Sequence, residues 1–522
     1  MTSFKQTLHI LRKDLRHLAP EISVSLSLVA LFAWIAPAAW PGYIGKMAYP
    51  GAQFGAPQIM GVFLHALIPI SWLVLISRSV HDESLVGDKQ FWVTRPYTWY
   101  SLLAAKLLFV LVAICLPLFA AQIFLVHYAG LPVFASLPAL LLNIGAIFVL
   151  FLLPFLVLAS VTSSFGPLIL LVLGGVLYLG VVGLVATYLS GVRGIPPYTE
   201  AGFIVLLTIL LAGTLMHQYI ERRTGLSQLI LIATPILLAA VYFILPAGFL
   251  FTHAYPTRTG LSAQVDLDPM KQQPSTGGLL NVVGNYVLSV PIAANLSSGN
   301  ELLSGRALHV DLTSASGFHW SSSWLGFSDT LHGGESTQID VMIPEKVIDR
   351  IGTETVKLQL TLALTRLQID PPVNFKLSDS NHAIPGGGVC SLVGDPSFAA
   401  PVCRSAMRAP MAFVETQVQD VPCSLDGSAE NTAPRPARSS MLLQQGWFAF
   451  DPVVAQSWRL YAAGDSPEGP HMHAICAGAP VKLTPTHDAG GASIQVEQTG
   501  LELAPYLRHR SQQRPMPVQP VR

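Results

Sequence analysis

Between two long apolar runs the chain carries HDESLVGDKQFWVTRPYTWYSLLAAK, His81 to Lys106, the most polar stretch of its first half. Glu83, Asp88, Lys89, Arg95 and Lys106 stand there with Gly87 and the rings of Phe91, Trp92, Tyr97, Trp99 and Tyr100. Aromatic residues and Arg are enriched where one protein presses on another, so the chemistry expected of this stretch is docking rather than bond making. An aromatic belt at headgroup depth accounts for Trp99 and Tyr100, which adjoin the next apolar run. It does not account for the acids or for Gly87.

Little else in the chain has the spacing of a reaction centre. A P-loop needs Gly-x-x-x-x-Gly-Lys-Ser/Thr, a zinc helix His-Glu-x-x-His and a hydrolase elbow Gly-x-Ser-x-Gly, and the sequence contains none of these. His471 and His473 stand two apart near Met472 and Cys476, a set that copper or zinc could use, but with Cys476 expected in a disulfide no metal is expected there. No catalytic residue, metal or cofactor is expected, and the chain is not expected to be an enzyme. Within the apolar runs the polar candidates for a pathway are His65, Gln122 and Asn143. The plainer expectation for each is a satisfied hydrogen bond between helices.

Composition says what must position these residues. With 51% hydrophobic and 11% charged residues over 522 positions and a mean hydropathy of +0.50, the chain is too apolar for a soluble protein. Runs near the roughly 20 residues that cross a bilayer are Ile22 to Trp40, Pro57 to Ser77, Leu107 to His127, Val133 to Val161, Pro167 to Leu189, Ala201 to His217 and Leu226 to Phe251. The expected fold is an α-helical polytopic membrane domain of six to seven spans, residues 21–254, followed by a β-rich, sandwich-like extracytoplasmic domain, residues 255–504.

Lys and Arg set the orientation. Lys5, Arg12, Lys13 and Arg16, then Arg78, Lys89, Arg95 and Lys106, then Arg222 and Arg223 fall on one side, against Lys46 and Arg193 on the other. The N-terminus is therefore expected in the cytoplasm and, after seven spans, the C-terminal domain outside. Cys390, Cys403, Cys423 and Cys476 all lie in that outer domain, where two disulfides are expected with any of three connectivities. Residues 1–20 read as an amphipathic helix on the inner leaflet: Phe4, Leu8, Leu11, Leu15 and Leu18 recur at helical steps among basic residues. Pro20 is expected to end it.

The opening stretch thus occupies the cytoplasmic loop between spans two and three, residues 78–106. Its order of Glu83, Gly87, Thr94, Pro96, Leu102, Leu103 and Lys106, behind an amphipathic helix and two spans, resembles the permeases of type-2 ABC exporters. The resemblance covers about the first 250 residues. It implies that this loop is a coupling helix, with Glu83, Gly87, Phe91, Trp92, Thr94, Arg95, Pro96 and Lys106 facing a separate ATP-binding subunit. It also implies a homodimer, or a heterodimer with a related permease, in the inner membrane. Such permeases typically have six spans and end in the cytoplasm, so the added span and outer domain leave the substrate open.

A proton-coupled transporter would keep acids within its spans, whereas Asp82, Glu83, Asp88, Glu200 and Glu221 all fall in loops or at span edges. The expected function is an exporter's permease subunit; the alternative is a membrane anchor or sensor displaying an external binding domain. Lipid and the ATPase are the expected partners, nucleic acid is not. In the outer domain VKLQLTLALTRLQ, ALHVDL and TQIDVMI alternate as half-buried strands, and GWFAFDPV, SWRLYAA and ASIQVEQTGLEL are strand-like. Asn374 to Arg438 reads as a long insertion tied down by disulfides, and residues 505–522 as a disordered tail.

Overall fold

The computed structural model describes residues 3–40, 56–83, 98–190, 199–244, 247–257, 261–265, 285–296, 299–327, 329–376, 381–386, 388–395, 398–408, 411–418, 437–442, 449–457, 462–464, 471–473, 480–503 and 507–509. The chain divides into two compact units. One comprises Met1–Val185, Glu200–Ile244 and Asp370–His487; the other comprises Ala186–Thr199, Leu245–Ile369 and Asp488–Arg522.

The first unit is built on α1 (Ser3–His17), α2 (Ala19–Ala39), α3 (Ala56–His81), α4 (Trp99–Tyr128), α5 (Val133–Val161), the larger parts of α6 (Phe165–Ser190) and α7 (Thr199–Ile220), and α8 (Thr224–Ile244). Apart from α1, these helices are apolar around most of their circumference, as a helix must be when its surroundings offer polar side chains no water. Five stretches among the described residues are long and apolar enough to cross a membrane: Ala19–Ala39, Ile59–His81, Trp99–Tyr128, Val133–Val161 and Ala201–Ile220. Large apolar side chains point outward from them, Trp34 being 80% and Phe134 88% exposed. A membrane-embedded bundle places such residues against lipid. Within the expected last span, Leu226 to Phe251, the described residues form α8 and the start of the short α9 (Ala247–Ala254); the described apolar stretches of α6 and α8, Phe165–Tyr178 and Thr224–Ala240, are shorter than a span.

Prolines explain the local irregularities. Pro20 does not end α1, which stops three residues earlier; it opens α2, where its missing N–H is no loss. Pro117 and Pro154 lie inside α4 and α5, and each follows a π turn, Leu111–Cys115 and Phe148–Leu152. There Leu116 N–H bonds Leu111 O and Leu153 N–H bonds Phe148 O, five residues back. The widened turn takes up the carbonyl that each proline ring would otherwise strike.

The strand region forms sheets in both units. In the first, Gly388–Asp395 and Phe398–Ala406 make an antiparallel pair in which Cys390 and Cys403 are directly opposed and joined by a disulfide. Val453–Ser457 adds to it. Met411–Val418 pairs with Ala437–Leu442 and with Val481 to His487. The expected insertion from 374 to 438 is therefore strand-bearing where it is described. Cys423 and Cys476 lie outside the described residues, as does the 505–522 tail apart from Leu507–His509, which forms a strand. GWFAFDPV is also corrected: Ala449 to Asp451 form no strand, and pairing begins only at Val453.

In the second unit Thr355–Ile369 pairs with Glu301–Ser314 on one side and with Asp488 to Glu502 on the other. Asn285–Asn295 pairs with Ser262–Val265, Ser336–Pro344 and Leu507–His509. The alternating residues Leu308, Val310, Leu312, Ile339, Val341, Ile343, Leu358, Leu360, Leu362 and Leu364 share one apolar core with Val290 and Ile494. Gln359 and Thr361 are half-buried on the other face.

Candidate functional site

Two buried polar clusters lie in the first unit, toward opposite ends of its helices. The first is built on α1. Its basic residues Lys5, Arg12, Lys13 and Arg16 are exposed, but the face turned inward is Thr7, Ile10, Leu11 and Asp14. Of the expected apolar stripe, Leu11 and Leu18 are buried while Phe4 and Leu8 remain exposed. Thr7 Oγ1 donates to Ser101 O at 3.4 Å, and Ser3 and Ser101 hydroxyls meet at 2.9 Å, so α1 lies along the first turns of α4.

One helical step deeper stands Lys106, its side chain 2% exposed. Its ammonium donates to Asp14 Oδ2 and to Ser79 O, both at 2.7 Å, and pairs with Glu83 Oε2 at 3.6 Å. Glu83 Oε1 in turn accepts from Lys13 Nζ at 3.0 Å. Two cations and two carboxylates therefore cancel, and the ammonium has two hydrogen bonds and one longer ion pair. Burial pushes the Asp14 carboxyl above its ordinary range and the Lys106 ammonium pulls it back. His17 pairs with Asp82 at 3.4 Å, and Arg78 with Glu21. The cluster clamps the foot of α1, the end of α3 and the start of α4 together. Of the residues expected to face an ATPase, Glu83 and Lys106 meet here; Gly87, Phe91, Trp92, Thr94, Arg95 and Pro96 lie outside the described residues.

The second cluster gathers all three polar residues singled out within the spans. Asn143 is fully buried about 15 Å along α5 from its start. Its Nδ2 donates to Ala449 O at 2.8 Å and its Oδ1 accepts Ala449 N–H at 2.9 Å. Gln122 of α4, also fully buried, donates from Nε2 to Ala449 O at 3.2 Å and Phe450 O at 3.3 Å. Neither makes the expected bond between helices; both read the backbone of a segment from the strand region. The Phe450 ring lies edge-on to Trp72 at 5.5 Å, tilted to His65 at 5.5 Å and to Phe151 at 6.1 Å. His65 itself is held by Gly61 O at 2.7 Å and stacks edge-on to Phe32.

Asp451 completes this seat. Trp40 Nε1 donates to its Oδ2 at 2.6 Å and Val453 N–H to its Oδ1 at 2.9 Å. Burial outweighs those donors and pushes its carboxyl up to about 6. Asp14, Trp40, Trp72 and Asp451 escaped the sequence reading. A lysine seven residues past the start of an apolar helix was the available signal for Asp14, because such a charge requires a partner. The other three had no comparable mark. His471–His473 form a short strand paired with Ala462–Gly464, and among the described residues no three His, Cys, Asp or Glu side chains converge as metal ligands. No family model matches the chain, and no curated protein matches it.

Proposed function

We propose that the chain is the membrane-spanning permease subunit of an ATP-driven exporter, energised by a separate ATP-binding subunit that docks on the segment between α3 and α4. The observation that carries the reading is the charge clamp. Glu83 and Lys106 stand on either side of residues 84–97 and are tied through Asp14 to α1. A push on that segment would reach three helices at once, which a plain connecting loop has no need to do. The aromatic and basic residues of the segment are of the types that protein interfaces favour.

Other features support the accompanying topology. The clamp and the Ala449 to Asp451 segment engage opposite ends of α2 and α4: Glu21 and Ser101 toward one, Trp40 and Gln122 toward the other. With the basic α1 in the cytoplasm, the strand region lies outside, where the Cys390–Cys403 disulfide belongs. The reading further takes six to seven spans, a sandwich arrangement around the shared core of the second unit, a dimer of permease chains and an inner-membrane location.

The test is a detergent pull-down of the tagged chain from its native membrane, with mass spectrometry of what co-purifies. A stoichiometric P-loop ATPase, lost when residues 84–97 are replaced by a Gly/Ser linker, is the expected result. A chain that comes out alone, or whose ATPase survives the replacement, overturns the coupling role and leaves an anchor or sensor.

A further inference from the structure

We propose that the recess formed by Trp40, His65, Trp72, Gln122, Asn143 and Phe151 is a recognition site for a peptide segment with an aromatic residue followed by an acid, and that the chain's own Ala449 to Asp451 fills it. The inference does not rest on the exporter reading, because it concerns binding alone.

Three features of the recess correspond to three parts of such a peptide. Asn143 meets both the N–H and the C=O of Ala449, at 2.9 and 2.8 Å, the two-point pairing that a neighbouring strand would offer and that any residue other than proline accepts. Trp72, His65 and Phe151 close around one ring, Phe450, the first edge-on and the other two tilted, at centroid separations within the range of aromatic pairing. Trp40 Nε1 supplies the donor for a carboxylate one residue on.

Two further observations mark the occupant as exchangeable. Ala449 to Asp451 belong to no strand, so no sheet ladder has to break for them to leave. Gln122 Oε1 and Trp72 Nε1 are buried without a hydrogen-bond partner even with the segment in place, which leaves an acceptor and a donor unused by the present occupant. Buried polar atoms of this kind are few in folded proteins, and a ligand with one more polar group at either point would gain both affinity and selectivity.

The test uses the full chain in detergent micelles and a fluorescein-labelled synthetic peptide reproducing residues 446–453, followed by fluorescence anisotropy. A tethered segment competes at an effective concentration of order millimolar, so the wild-type chain should bind the peptide weakly. Phe450→Ala with Asp451→Ala vacates the recess, and the peptide should then bind about tenfold or more tightly. Adding Asn143→Leu to that variant, or replacing the aromatic residue of the peptide that corresponds to Phe450 by alanine, should abolish the gain. Should the double variant not elute as a discrete species, Asp451→Ala alone is used, with an expected gain of about threefold from the lost Trp40 bond. Binding to the vacated chain no tighter than to the wild type, or no tighter than that of a scrambled peptide, overturns the proposal.

Discussion

The two buried polar clusters of the helical bundle solve the same problem with opposite chemistry. Around Lys106, full charges are cancelled by full charges, and every partner comes from α1, α3, α4 or the two residues after α3. Around Phe450, neutral amides and an indole hold a segment from more than 300 residues away in the sequence. Removing Lys106 from the first leaves an uncompensated carboxylate in a dry place. Removing the segment from the second leaves amides that water can serve. The first arrangement suits a permanent joint and the second a site that can empty.

The sharpest way to break this contrast is Lys106→Met. It should cost about 3–5 kcal/mol, because Asp14 and Glu83 are then left to share the half-open Lys13, 3.9 Å from Asp14, and should show as a large fall in thermal stability in detergent. Adding Asp14→Leu should recover most of the loss, since Glu83 keeps Lys13 as its partner. A silent single variant would mean that the clamp is not a joint at all.

Next in size is a pH effect confined to the seat. Asp451 has its carboxyl raised to about 6 when seated, against about 3.9 when free, so the seated state holds its proton more tightly. Seating is strongest below about pH 4, weakens as pH rises through the window from about 4 to about 6, and is level above it, by at most about a hundredfold overall. The groups facing Asp451 are the Trp40 and Val453 donors and the His65 ring. Hydrogen exchange at the Ala449 amide, corrected for intrinsic rate, should be more protected at pH 5 than at pH 7.5. With Asp451→Asn the two should agree.

Asn143→Leu should weaken seating by about 1–3 kcal/mol through the loss of its pair of bonds to Ala449. Protection at Ala449 should drop while the thermal transition of the bundle barely moves, the reverse of the Lys106 result. Smallest is Lys13→Ala at the rim of the clamp, where the side chain is 41% exposed. A partner this open to solvent contributes below about 1 kcal/mol, and a larger loss would show the clamp to be more cooperative than its geometry implies.

How much of this could be read from the residues differs by element. The strand Thr355–Ile369 was legible because Leu358, Leu360 and Leu362 alternate with polar residues; from Ala363 to Thr365 both faces are covered, and alternation no longer describes it. The apolar helices were legible from length alone. The division of the last apolar run between α8 and α9 was not, because apolar residues continue from one into the other. His65, Gln122 and Asn143 were picked out as polar residues in apolar runs, and they do share a site. Their partner stayed hidden because GWFAFDPV has the composition of a strand, and nothing local says that Ala449 to Asp451 pair with side chains from helices instead. The clamp was half legible: Lys106 was noticed, while Asp14 was lost among the basic residues of α1.

The π turn ahead of Pro117 also decides which way α4 presents its polar residues. On a regular helical wheel of about 100° per residue, Gln122 would point about 160° away from Lys106, and one of the two would face lipid. The extra residue that the wide turn absorbs between Leu111 and Cys115 rotates the second half of the helix and narrows that angle to about 60°. A single inserted position thus lets one helix serve the clamp at one end and the seat at the other. Deleting one residue there would swing Gln122 off the peptide backbone without altering any side chain that touches it.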